Sequence, residues 1–151
     1  MIDPNLDHVG IVVPELEPAL EALSSSLGIE WMPIVEPVVS MREGDHETRN
    51  VSLRIGFSVQ HPRLEVIETI PNSPWAIDGT AMRLHHLAYF AGDLAEDSAR
   101  ISTPCPIEIC GVGADGAIPT TFTYHLHNGL RFELLEHRTT LTEEAQWNLT
   151  T

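Results

Sequence analysis

The stretch "LDHVGIVVPELE", residues 6–17, recurs in the sequence as "LHHLAYFAGDLA", residues 84–95. Both stretches read apolar, polar, histidine, and then five small or apolar residues before a turn residue, an acidic residue and a leucine. A second pair of matching stretches also has one member in each half of the chain: "RLEVIE" at residues 63–68 and "RFELLE" at residues 131–136. The offset is 78 residues for the first pair and 68 for the second, so the second copy is about ten residues shorter internally. Such self-similarity indicates that one supersecondary unit is used more than once. The sequence therefore predicts two copies of one structural unit.

Each copy is predicted to contain a strand, a helix and three further strands. Residues 6–13 form an apolar run typical of a buried strand. Residues 15–28 carry apolar side chains at the three- and four-residue spacing of a helix, and Gly28 can end that helix. The remaining elements are strands over 30–39, 50–59 and 63–70, then a strand over 84–91, a helix over 92–101, and strands over 106–113, 121–126 and 130–137.

The predicted fold class is α+β, with two tandem βαβββ units that curve side by side around a central cleft. Each unit is expected to form a four-stranded sheet. With 151 residues, 42% of them hydrophobic, the chain can bury the core of one domain. That domain spans residues 1–151, with a first repeat at about 5–70, a linker at 71–82, a second repeat at about 83–138 and a tail at 139–151.

The charge of the chain excludes several classes of partner. There are 8 basic residues against 22 acidic ones, which gives a formal net charge of −14. Such a surplus argues strongly against nucleic acid or an anionic membrane as a partner. No apolar run reaches the length of a membrane-spanning helix, and residues 1–8 lack the pattern of a secretory signal. We therefore expect a cytoplasmic protein that acts on a small molecule.

Each repeat places one histidine in its first strand and one glutamate in its last strand. The match between the repeats pairs His8 with His86 and Glu65 with Glu133. One histidine or glutamate alone would more often be a core or edge residue, but here the pair recurs among apolar neighbours, where a carboxylate needs a partner or a metal ion. This recurrence favours a metal site with nitrogen and oxygen ligands for one divalent ion. We expect this ion to be one of Ni, Co, Zn, Mn and Fe, which the sequence does not distinguish.

The doublet His85-His86 raises a question of register, because neighbouring side chains of a strand point to opposite faces. The repeat match aligns His86 with His8 and aligns His85 with Asp7. We therefore expect His86 to point into the cleft and His85 to point to the opposite face of the sheet.

These stretches, together with "NGLRFELLE" at residues 128–136, resemble the vicinal oxygen chelate superfamily. That superfamily includes glyoxalase I, methylmalonyl-CoA epimerase, extradiol dioxygenases and bleomycin-resistance proteins. The resemblance runs from about Leu6 to Glu136 and is greatest to the glyoxalase and epimerase branch. It implies proton transfer on a metal-chelated substrate, and members of the family commonly pair as homodimers. The metal ligands that it implies are His8, Glu65, His86 and Glu133.

The resemblance also implies catalytic residues. By analogy with glyoxalase I, Glu133 is a ligand that doubles as the general base. The epimerases carry a second glutamate just before the strand that matches "NVSLRIG"; Glu47 is the candidate here, with Glu43 as the alternative. The predicted function is a metal-dependent isomerase, epimerase or lyase. Two alternatives are a metal-free, ligand-sequestering protein of the bleomycin-resistance type and an Fe(II)-dependent extradiol dioxygenase, which needs two histidines and one carboxylate.

Overall fold

The computed structural model describes residues 1–136 and shows one curled sheet of nine strands with two helices. The tail predicted at 139–151 lies outside the described residues. The elements are β1 (His8–Val13), α1 (Leu16–Leu27), β2 (Val38–Glu43), β3 (Arg49–Ser52), β4 (Ile55–Phe57), β5 (Arg63–Glu68), β6 (Arg83–Ala91), α2 (Leu94–Ile101), β7 (Ile107–Gly111), β8 (Phe122–His127) and β9 (Leu130–Glu136).

The two repeats meet at the centre of the sheet. The strand order is β3-β2-β7-β8-β9-β6-β1-β5-β4. β1 and β6, the first strands of the two repeats, pair antiparallel, and each also pairs in parallel with the last strand of its own repeat, β5 or β9. The four strands that carry the predicted ligands are therefore neighbours. This arrangement confirms the predicted fold class of two βαβββ units in a curved mixed sheet.

The hairpin of β2 and β3 links the first repeat to the second. β2 pairs antiparallel with β3 on one side and with β7 of the second repeat on the other. β3 and β4 lie at opposite ends of the strand order, although only Leu53 and Arg54 separate them in the chain. The sheet must therefore curl to bring its ends together. The two predicted four-stranded sheets are merged into one, and the strand predicted over 50–59 is divided at this bend.

The segment before β2 is less regular than the strand predicted over 30–39. Pro33 and Pro37 lack the backbone N–H that a ladder requires. Only isolated bridges form along this segment, from Trp31 to Ser58 and from Val35 to Ile55. Regular pairing begins at Val38, after the second proline.

The sheet buries apolar side chains on both of its faces. Val13 packs with α1 on one face, whereas its neighbour Val12 belongs to a larger core on the other face, which also contains Trp75 and Tyr124. Glu68, three residues after Glu65 in β5, lies on the helix side, where its carboxylate accepts a hydrogen bond of 2.9 Å from the backbone N–H of Leu16. Within residues 1–136, no helix has the length and apolar character needed to cross a membrane.

Candidate metal centre

Four ligand atoms converge on the inner face of the sheet. His8, Glu65, His86 and Glu133 each contribute one, and all four atoms lie within 4.8 Å of one another. The Nε2 atoms of the two histidines are 3.0 Å apart. Oε2 of Glu65 lies 3.4 Å from Nε2 of His8 and 3.0 Å from Nε2 of His86. Oε2 of Glu133 lies 3.1 Å and 3.2 Å from the same two atoms. The structure thus brings together all the residues predicted as ligands.

Two small residues make room for these side chains. Gly10 of β1 pairs with Glu65 on the β5 side and with His86 on the β6 side. Ala88 of β6 pairs in the same way with His8 of β1 and with Glu133 of β9. The His86 ring lies directly over Gly10, so a Cβ atom at that position would stand 2.1 Å from Cε1 of the ring. The absence of a side chain at Gly10 therefore allows the His86 imidazole to reach the cluster.

The cluster fits a metal ion. Oε2 of Glu65 and Oε2 of Glu133 are buried, and within the described chain neither has a hydrogen-bond partner. Burial of an unpaired carboxylate is unfavourable unless another group compensates its charge. Ligand atoms about 2.1 Å from a shared ion stand about 3.0 to 3.4 Å from one another when they are neighbours around it, and the five atom pairs that include an imidazole nitrogen have this spacing. Two imidazoles and two carboxylates suit a divalent first-row ion, so the cluster could hold one.

The other ring nitrogens of His8 and His86, their Nδ1 atoms, also have polar partners. Nδ1 of His8 lies 2.8 Å from Oδ2 of Asp7. Nδ1 of His86 lies 2.8 Å from Nδ1 of His85, and Nε2 of His85 lies 3.0 Å from the carbonyl oxygen of Pro74. With these contacts in place, both imidazoles present Nε2 to the cluster.

The prediction that His85 points to the opposite face of the sheet is wrong. The register between β1 and β6 shifts here: Gly10 is opposite His86, but Ile11 is opposite Leu84. His85 is therefore the extra residue of a β-bulge, where the regular alternation of side chains breaks down. Both rings of the doublet consequently lie on the cluster side, in contact with each other.

Aromatic side chains wall the cluster beyond His85. The His85 ring stacks on Trp75, with centroids 6.2 Å apart and an angle of 25° between the planes. Tyr124 lies with its centroid 5.4 Å from that of His85 and 5.1 Å from that of His86. Trp75 is 1% exposed although it belongs to the predicted linker. Tyr124 belongs to no repeated pattern in the sequence and was missed as a site residue.

The predicted second base does not lie at the cluster. Glu47 is exposed in the turn between β2 and β3, and Glu43 forms an ion pair of 2.7 Å with Arg49. Over residues 1–136, no hydrogen bond or ion pair is found between either glutamate and the four converging side chains. The structure thus brings neither Glu47 nor Glu43 to the cluster, and the role of Glu47 stays a prediction.

The four clustered groups shift one another's pKa values. Burial lowers the pKa of His8, but Glu65, Asp7 and Glu133 together raise it by more than burial lowers it, so the pKa lies well above 6.5. Burial likewise lowers the pKa of His86, and Glu133 and Glu65 more than offset it, so this pKa is also raised. Burial raises the pKa of both glutamates, but the two imidazoles lower it more strongly. Without metal, the carboxylates therefore favour the protonated form of the imidazoles, and the imidazoles favour the ionised form of the carboxylates.

These shifts predict how the stability of the metal-free protein depends on pH. A raised histidine pKa stabilises the folded state below the unfolded-state value of about 6.5, and this stabilisation is lost as pH rises through the folded-state pKa. The lowered glutamate pKa values stabilise it above about pH 4.5, and that contribution is lost on acidification. In a chelator, the difference in Tm between the unaltered protein and His86→Gln should therefore shrink as pH rises from 6 to 9. A difference that grows over this range would contradict the assigned charges.

A curled mixed sheet built from two βαβββ units, with a buried pair of histidines and a pair of glutamates on its four central strands, defines a recognisable class of protein. The family model of the Glyoxalase/Bleomycin resistance protein/Dioxygenase superfamily matches residues 7–104. The chain belongs to this superfamily, which confirms the resemblance seen in the sequence. Among curated proteins, no sequence matches this chain.

Solved structures share the fold at low sequence identity. A hypothetical protein, BH1468 from Bacillus halodurans, is 18% identical with a TM-score of 0.64, over 93% of this chain and 100% of that one. Methylmalonyl-CoA epimerase from Mycobacterium tuberculosis is 18% identical with a TM-score of 0.59, over 89% and 88%. BphC, a halotolerant catechol dioxygenase, is 15% identical with a TM-score of 0.53, over 93% of this chain and 42% of that one. Enzymes of more than one reaction type therefore share this fold.

Proposed function

We propose that this protein is an enzyme that holds one divalent metal ion in its four-residue cluster and moves a proton on a small oxygenated metabolite, as an isomerase, epimerase or lyase. The observation that supports the proposal is the convergence, at one buried point, of two imidazole nitrogens and two carboxylate oxygens that lie 3.0 to 3.4 Å from those nitrogens without a hydrogen bond of regular geometry. When bound, a divalent ion acts as a Lewis acid that polarises a substrate carbonyl oxygen. The ligands would be His8, Glu65, His86 and Glu133.

The carboxylates are slightly less buried than the imidazoles. The side chains of His8 and His86 are 2% and 0% exposed, whereas those of Glu65 and Glu133 are 10% and 8% exposed. We assign the general base to Glu133: its carboxylate would take a proton from the carbon next to the polarised carbonyl and return it to that carbon or its neighbour.

The alternatives fit the cluster less well. An extradiol dioxygenase would use two histidines and one carboxylate and leave positions open for oxygen, whereas this cluster supplies two carboxylates. A sequestering protein has no need of two histidines and two glutamates buried against one another, since burial of charge is unfavourable. The likeness to the Mycobacterium tuberculosis methylmalonyl-CoA epimerase adds weight to proton transfer next to a carbonyl.

The test combines metal analysis with solvent deuterium exchange. The protein would be reconstituted with Ni, Co, Zn or Mn and offered a panel of 2-oxo-aldehyde thiol adducts and 2-substituted acyl-CoAs in D₂O. We expect about one bound ion per chain and metal-dependent deuterium uptake at the carbon next to the carbonyl, both lost in His86→Ala. His127→Ala, which removes an exposed histidine outside the cluster, is the matched control and should retain both.

Two outcomes would count against the proposal. A preparation that stays metal-free after incubation with all four ions would exclude a metal-dependent enzyme. Oxygen consumption by the Fe(II)-loaded protein with a catechol, without deuterium uptake from any member of the panel, would assign the protein to the dioxygenases instead.

A further inference from the structure

We propose that His85 is a positioning residue that fixes the tautomer of its neighbour His86, so that the lone pair of His86 Nε2 faces the metal cluster. The inference rests on the proposed metal site, and it assigns a role to a residue that the ligand set does not include. Two contacts carry it: His85 contacts the carbonyl oxygen of Pro74 with one ring nitrogen and His86 with the other.

The direction of each hydrogen bond in this line follows from the chemistry of its members. The carbonyl oxygen of Pro74 can only accept, so Nε2 of His85 carries a hydrogen and donates across 3.0 Å. In a neutral imidazole the other nitrogen is then an acceptor. Nδ1 of His85 therefore accepts from Nδ1 of His86, 2.8 Å away, and His86 carries its hydrogen on Nδ1. Nε2 of His86 is left with a lone pair, the form that binds a metal ion.

The opposite placement of the shared hydrogen is incompatible with a metal ligand. If the hydrogen belonged to Nδ1 of His85, that ring would be a cation buried against Trp75, and charge burial is unfavourable. Nδ1 of His86 would then be the acceptor, and a neutral His86 would carry its hydrogen on Nε2. A protonated Nε2 cannot bind an ion, so only the first placement is consistent with a ligand role for His86.

In the first repeat, too, the residue before the histidine ligand contacts Nδ1 of that histidine, although the contacting group is a carboxylate. Asp7 precedes His8 in the sequence and its carboxylate lies 2.8 Å from Nδ1 of His8, just as His85 precedes and contacts His86. Partners of this kind orient metal-binding histidines and set their tautomers. In both repeats, therefore, the residue immediately before the ligand supplies the acceptor, a carboxylate in one case and an imidazole backed by a carbonyl in the other.

The β-bulge in β6 makes this arrangement possible. In a regular strand, residues next to each other face opposite sides, and His85 could not reach His86. Because the register shifts at this point, both rings lie on the same side and their Nδ1 atoms meet. The bulge thus has a function of its own at the metal centre.

The experiment compares two substitutions of His85 by their affinity for zinc. His85→Phe keeps a ring that can pack against Trp75 and Tyr124 but removes the acceptor, and we expect affinity for Zn²⁺ to fall about 10- to 100-fold. His85→Asn places an amide oxygen near the position of Nδ1, so it should restore most of that loss. Titration against a chromophoric chelator measures both affinities, and thermal unfolding verifies that each variant is folded.

A second readout observes the tautomers directly. Long-range ¹H–¹⁵N correlation spectra of the zinc-loaded protein, labelled with ¹⁵N-histidine, should show His85 protonated on Nε2 alone and His86 protonated on Nδ1. His85 protonated on Nδ1, or unaltered zinc affinity in His85→Phe, would overturn the inference and leave the proposed reaction intact. Conversely, normal zinc binding with this tautomer pair but without deuterium exchange would reject the reaction and support the role of His85.

Discussion

Gly10→Ala should abolish metal binding at the cluster while the sheet stays folded. A Cβ atom at this position would lie 2.1 Å from Cε1, 2.3 Å from Nδ1 and 2.5 Å from Nε2 of the His86 ring. A small shift within the cluster cannot relieve this overlap, because His8 and His85 contact the two nitrogens of the ring and Tyr124 packs beside it. We expect His86 to turn out of the cluster and affinity for Zn²⁺ to fall by at least about 100-fold, beyond the loss caused by an orienting partner.

The matched control for this substitution is Gly56→Ala. Gly56 also lies in a strand, but the atoms nearest to a Cβ atom there would be the two methyl groups of Leu20, both at 2.9 Å, and Cγ of the same side chain at 3.5 Å. Because the end of that side chain can move, the control should lose about 1 to 3 kcal/mol of folding stability and keep its metal affinity. Zinc binding by Gly10→Ala as tight as by Gly56→Ala would show that the His86 ring does not need the space over Gly10.

Glu133→Gln should reduce proton transfer by about 10²- to 10⁴-fold, the range associated with loss of a general base. The substitution keeps the shape of the side chain but replaces the carboxylate that could accept a proton. Weaker metal binding alone would give the same result, so deuterium exchange has to be measured at saturating metal, with occupancy verified in each sample.

Glu65→Gln distinguishes a catalytic role from a ligand role. Glu65 occupies the equivalent position in the other repeat and contacts the same two imidazole nitrogens. Both substitutions should weaken metal binding, but at full occupancy only Glu133→Gln should lose the deuterium exchange. Equal losses in the two variants would mean that the base has been assigned to the wrong group or that both carboxylates share the role.

The repeat in the sequence was sufficient to predict the fold class and to name the four clustered residues. It succeeded because His8, Glu65 and their counterparts lie in regular strands that pair in register, so a sequence offset translates directly into spatial equivalence. The same reasoning failed at His85. A bulge depends on how β6 pairs with β1, and no local pattern in "LHHLAYFA" indicates it.

Other features could not be predicted because they depend on distant parts of the chain. Trp75 was assigned to a linker, yet tertiary packing buries it beside His85 and Tyr124. The pairing of β2 with β7 joins the two repeats, whereas the periodicity within each repeat describes only that repeat. The alignment of Asp7 with His85 was interpreted as placing His85 on the opposite face, whereas Asp7 and His85 each contact the histidine that follows them.

The hairpin shared between the repeats constrains the order in which the chain can fold during synthesis. β2 pairs with β7, so the N-terminal repeat emerges from the ribosome with an edge that has no partner until the later repeat follows. His8 and His86 are 78 positions apart, and Glu133 lies in the last described strand, so the cluster closes only after these long-range pairings have formed. The ion would therefore enter a nearly finished protein rather than organise a nascent one. The metal content of this protein would then be set by the ions present after folding, not by those met during translation.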